Sequence, residues 1–140
     1  MNTIGYFAIF EPAEEGGFVI TFPDIPEAIS EADDKSAAMF NASEVLDLCL
    51  TERMASGEAL PTPSKYTKGV WVEPSASVQA AILVRKTREK EGKNLADLAR
   101  ALKTSWAAAQ KLETPANNPT LKQLERTAAV LGKRLVVSFD

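Results

Sequence analysis

The chain reads as an α+β protein in two parts. A small β-β-β-α-β domain is expected over residues 1–74. A helix-turn-helix domain, helical until a short dimerisation strand at its end, is expected over residues 75–140. Three observations predict this. β-branched and aromatic runs, broken by glycine and proline, fill the N-terminal stretch. Apolar residues at i, i+3, i+4 and i+7 recur in the C-terminal half. Charge also changes sign along the chain: residues 1–77 carry 4 Lys+Arg against 13 Asp+Glu, a net −9, and residues 78–140 carry 12 against 6, a net +6. Within a total of only −3, that segregation points to a basic partner for one half and a polyanionic partner for the other.

Composition narrows the chemistry. A 45% hydrophobic content is that of an ordinary globular protein. With no histidine and a single cysteine, His-dependent triads and Cys/His zinc sites are excluded. Carboxylate–metal or Ser–Lys chemistry has no recognisable motif, so neither a cofactor nor a metal is expected. Cys49 lies in an apolar helical pattern, as an inert structural thiol does. The lack of a signal peptide or long apolar run predicts a cytoplasmic protein with no membrane partner.

The elements follow in order. Residues 3–10, TIGYFAIF, are apolar on both alternating faces, which predicts a strand that is central or covered on both sides. Residues 11–17, EPAEEGG, form a turn, and Phe18 to Phe22 return as a second strand. Pro23-Asp24-Ile25-Pro26 stops it, because proline cannot donate to the ladder. A short third strand is expected near residues 28–31. Residues 35–56 form a helix capped by Asp33 or Asp34, with Ala38, Ala42, Val45, Leu46, Cys49 and Leu50 inward and Met39 and Phe40 widening the stripe. The proline loop LPTPSKYT precedes a fourth strand at Val70-Trp71-Val72, placing the junction at residues 74–77.

A helix over residues 77–92 opens the second part, with Val78, Ala81, Ile82 and Arg85 on one face and Leu83 beside them. Asn94 and Asp97 make a capping box for a helix whose buried face is Leu95, Leu98, Ala99 and Leu102. The pattern breaks at Lys103-Thr104. Thr104 or Ser105 then caps a second short helix with Ala109 and Leu112 inward. Two short helices joined so tightly suggest a helix-turn-helix, with a helical dimerisation module as the alternative. Thr120 and Gln123 cap a last helix, with Leu121, Leu124, Ala128 and Leu131 inward and Gly132 as the stop.

The candidate DNA-binding residues are Thr104, Ser105, Trp106, Ala107, Gln110 and Lys111. Gln can read adenine, Lys can read guanine or grip phosphate, and the hydroxyls can reach phosphate. Residues 133–139 have strand composition. A lone strand exposes unpaired backbone, so Leu135, Val136, Val137 and Phe139 are expected to pair with the same strand of a second copy, or else with the N-terminal sheet.

The segment LARALKTSWAAAQKLE…NNPTLKQLERTAAVLG is similar to the Xre/Cro family of helix-turn-helix repressors. The resemblance rests on Leu98-Ala99, Lys111-Leu112-Glu113, Asn118-Pro119, Leu121, Leu124, Ala128 and Leu131. Lys103 stands where that family often has a turn glycine, and Leu95 where it often has a phosphate-contacting glutamine. The N-terminal half resembles the HicB antitoxins of bacterial toxin–antitoxin pairs. There the carriers are Gly16, Gly17, Phe18, Phe22, Pro23-Asp24-Ile25-Pro26, Ala37 and Pro61 to Ser64, with Ala32 in place of a frequent glycine.

These resemblances imply a partial ribonuclease-H-like N-terminal domain that binds a HicA-type toxin, an mRNA-cleaving ribonuclease, and occludes its active site. They imply a C-terminal domain that binds operator double-stranded DNA and represses the operon. The expected assembly is a homodimer, with a tetramer as the larger alternative, in the bacterial cytoplasm. Asp24, Glu31, Asp33 and Asp34 are the candidate toxin contacts. Two rival readings are a stand-alone Xre-type regulator with a ligand-sensing N-terminal domain and a metal-dependent nuclease built on the same carboxylates. Fold analogy alone supports neither.

Overall fold

The computed structural model describes residues 3–140, and the chain divides into two compact units, Met1–Ala76 and Ser77–Asp140. Among the described residues, a four-stranded antiparallel sheet and five α-helices make a mixed α+β protein.

The first unit runs β1 (Tyr6–Pro12), β2 (Phe18–Thr21), β3 (Ile29–Ala32), α1 (Lys35–Ala55) and β4 (Val70–Val72). The sheet order is β3-β2-β1-β4, so β1 is central and its apolar sides are explained by position. β1 begins three residues later than its apolar run, and its pairing extends to Pro12 opposite Phe18. The five intervening residues close the hairpin, with Ala13 N–H donating to the Gly17 carbonyl at 3.0 Å. Gly17 has φ +76°, and a Cβ there would sit 2.3 Å from the Ala32 carbonyl oxygen, so only glycine fits beside β3.

One face of the sheet packs on α1. Tyr6, Ala8, Ile20 and Val72 from the strands meet Ala38, Ala42, Leu46 and Leu50 from the helix, all buried. Asp34 rather than Asp33 caps α1, its carboxylate accepting from Ala37 N–H at 2.8 Å. Met39 and Phe40 do not widen the buried stripe. Both are exposed, Phe40 at 64%, because the helix turns them away from the sheet.

The second unit comprises α2 (Ala76–Lys90), α3 (Leu95–Ala101), α4 (Trp106–Lys111), a 3-10 turn at Pro115–Asn117 and α5 (Leu121–Val130). Its core joins Val84, Leu98, Ala99, Leu102, Ala109, Leu112 and Leu131. Capping boxes form at Asn94/Asp97 and Thr120/Gln123. One expected core position lies outside: Leu121 is 62% exposed, and Leu83, expected beside the inward face of α2, is 51% exposed. On α5 the inward place falls instead to Thr127, whose hydroxyl donates to the Gln123 carbonyl at 2.7 Å and is thereby satisfied. Among the described residues, 133–140 carry no strand, so the strand composition of that segment is not matched by a hydrogen-bonded ladder.

Candidate functional site

The connection from α3 to α4 is fixed by backbone geometry. Thr104 N–H donates to the Ala99 carbonyl and Lys103 N–H to that of Arg100, at 2.9 and 3.1 Å. That pair of bonds is a Schellman stop, and it requires the left-handed conformation at Lys103, where φ is +55°. The next residue but one, Ser105, caps α4 by accepting from Ala108 N–H at 3.1 Å. Ala109 and Leu112 then face the core, which leaves Trp106, Ala107, Gln110 and Lys111 on the solvent side. Thr104 and Ser105 are also exposed, so the six residues form one accessible surface at the turn and first helical face. Trp106 is 51% exposed, which makes it a surface aromatic rather than a core one.

Two arginines that the sequence does not single out hold this surface in place. Arg88 on α2 makes a bidentate pair with Glu113, just beyond α4, at 2.6 and 3.0 Å. Their side chains are only 12% and 8% exposed. Arg88 also donates to the Lys93 carbonyl, and the Glu113 hydrogen bond raises its pKa further above the usual guanidinium value. Arg126 on α5 donates to the Leu102 carbonyl at 2.8 Å, satisfying the end of α3 from outside the helix. The Lys111-Leu112-Glu113 string draws attention to Glu113, but its partner lies 25 residues away and carries no local signal.

In the acidic unit, the four candidate carboxylates have different situations. Asp24 is a latch: its two oxygens accept from the Ser64 backbone N–H at 2.7 Å and the Ser64 hydroxyl at 2.9 Å. Tyr6 adds a second tie to the same proline loop by donating to the Pro61 carbonyl at 2.7 Å, and burial pushes its pKa up to about 12. Asp34 is engaged as the α1 cap. Glu31 and Asp33 are exposed, and Glu31 uses its backbone carbonyl to accept from Asn41. Glu27, not anticipated from sequence, pairs with Arg53 through two bonds of 2.6 and 2.8 Å, which hold its pKa down to about 2. Cys49 is half-buried, and burial raises its pKa, the opposite of an activated thiol. Among the described residues no group of three or more acidic or cysteine side chains could hold a metal ion.

Residues 5–82 match the family described as HicB-like antitoxin of bacterial toxin–antitoxin systems. The chain belongs to that family. A curated relative, Antitoxin HicB 2 of Photorhabdus laumondii, is 31% identical over 87% of this chain and 87% of its own length. Antitoxin HicB of Escherichia coli K12 is 25% identical over 93% of this chain and 95% of its own. The HicB-like families are antitoxins rather than enzymes, and an antitoxin implies a toxin as partner. The matched family segment ends at residue 82, within α2, whereas both full-length relatives align well into the second unit. No described helix is long and apolar enough to cross a membrane.

Proposed function

We propose that this HicB-like chain neutralises a HicA-type mRNA-cleaving toxin by occluding its active site, and that it represses its own operon as a dimer bound to operator DNA. The observation that carries the proposal is the coincidence of charge with fold. The boundary between the two compact units falls at residues 76–77, and the uncharged Ser77 leaves −9 on one side and +6 on the other. An acidic unit steers towards a basic protein partner, and a basic unit neutralises phosphates.

The second unit is the proposed Xre/Cro-type helix-turn-helix domain, α3 being the support and α4 the reading helix. Thr104 and Ser105 would reach phosphate while Gln110 and Lys111 face base edges, with Trp106 and Ala107 filling the contact between them. In the first unit, Glu31 and Asp33 are free to meet the toxin, while Asp24 and Asp34 would contribute field rather than direct bonds. Dimerisation is assigned to the C-terminal segment. Val136, Val137 and Phe139 are exposed at 71%, 65% and 103%, and Leu135 and Val136 join Leu83, Leu124 and Leu131 around an apolar hollow of about 300 Å³. A second copy laid along that segment would pair its open backbone and cover those side chains.

The test combines two assays on the full chain. It should suppress RNA cleavage by the protein of the adjacent reading frame, and it should retard a fragment carrying its own promoter. Gln110→Ala and Lys111→Ala should each weaken promoter binding by about 1–3 kcal/mol at fixed salt and leave suppression intact. Undiminished promoter affinity in both variants would overturn the assignment of α4.

A further inference from the structure

The outer face of α1 carries side chains that its packing does not explain. Phe40, Glu44, Leu48 and Glu52 follow one another at intervals of four residues, so they climb one side of the helix. That side is opposite the buried stripe of Ala38, Ala42, Leu46 and Leu50. Phe40 is 64% exposed and Leu48 67%, about 12 Å apart along the axis, and Glu44 lies exposed between them. Helix formation does not require a phenylalanine or a leucine at a solvated position, since alanine or lysine serves better there.

We propose that this stripe is the toxin-docking surface of the antitoxin, with Phe40 and Leu48 as apolar anchors and Glu44 and Glu52 as the charges that select a basic partner. The inference rests on the toxin-neutralising function proposed above and names the surface that performs it. Charge decides the occupant. A second copy laid with its own acidic unit against the stripe would set Glu44 and Glu52 against like charges within a unit already at −9, which disfavours that self-pairing. A basic surface with two apolar pockets meets both features at once, and an apolar centre with a polar rim is the general anatomy of a protein interface.

The stripe has no role in the fold, so its variants keep the protein intact, which circular dichroism and the melting temperature of Phe40→Ala/Leu48→Ala should show. The probe is the protein encoded by the reading frame adjacent to this one, titrated with full-length chain by calorimetry. The apolar double variant should lose at least about 100-fold in affinity. Glu44→Gln/Glu52→Gln should lose about 10-fold at low salt and flatten the salt dependence, because the charges act through steering. Wild-type affinity in both double variants would overturn the docking surface and leave the antitoxin function standing. No binding by the wild-type chain would overturn both. A drop in sedimentation mass of the apolar variant with unchanged toxin affinity would show the stripe to be a contact between copies and also overturn the proposal.

Discussion

Lys103 holds a conformation that three other helix ends in this chain give to glycine. Gly57, Gly92 and Gly132 each follow a helix at positive φ, and each end carries the same pair of backbone bonds as the α3 stop. A non-glycine residue in the left-handed region costs about 1–2 kcal/mol, while glycine costs the unfolded chain about 0.5–1 kcal/mol in extra freedom. The first effect is the larger. Lys103→Gly should therefore stabilise the second unit by about 0.5–1 kcal/mol, read as a raised urea midpoint at unchanged slope.

Glu27 gives a second residue-scale expectation. The Arg53 hydrogen bonds hold its folded pKa down to about 2, below the usual carboxylate value near 4.5, so the stabilisation by Arg53 is fully present above that usual value and is lost as pH falls through about 2. Nearly half of the Glu27 side chain is solvated, which holds the contribution to about 1 kcal/mol or less. Melting temperatures of Glu27→Gln and wild type should diverge at pH 6 and converge towards pH 2. A constant gap over that range would dismiss the ion pair as a source of stability.

At the scale of the element, the Arg88–Glu113 pair ties α2 to the end of α4. Leaving either charge buried without its partner is costly, and Arg88→Met should destabilise the second unit by about 3 kcal/mol. The double change Arg88→Met/Glu113→Leu should recover most of that loss, because an apolar pair of similar volume removes both desolvated charges. If the double variant is as unstable as the single one, the pair is fixing the α4 position and not merely compensating charge. The contrast also explains what the sequence makes legible. The Asn94/Asp97 and Thr120/Gln123 boxes span three residues, so spacing alone reveals them. The Arg88–Glu113 and Asp24–Ser64 ties span 25 and 40 residues, and only the folded chain brings them together. Periodicity likewise finds Leu46 and Leu50 but cannot separate a core position from an exposed apolar one, which is why Phe40 and Leu121 read as inward and stand outside.

At the scale of the whole molecule, the proposed operator binding would depend on joining two weak halves. One basic unit of net +6 presents a single short helix for the proposed reading, and a six-residue α4 would offer few base contacts by itself. Linking two such units turns the second contact into an intramolecular one, a gain of about 10²–10⁴ without any new side chain. The exposed segment bearing Leu135, Val136, Val137 and Phe139 is the proposed link. Deleting residues 134–140 should halve the sedimentation mass at micromolar concentration and cut promoter affinity at fixed salt by at least about 100-fold. Suppression of the toxin should be unaffected, because the acidic unit keeps all its residues. The deletion also removes Arg134 along with Asp140, so a loss of affinity could arise from the missing guanidinium alone. Arg134→Ala separates the two causes: by losing one phosphate contact it should lower the salt slope by about 1, and it should leave the mass unchanged. An unaltered mass after the deletion would mean that the two copies, if they pair, do so through another surface.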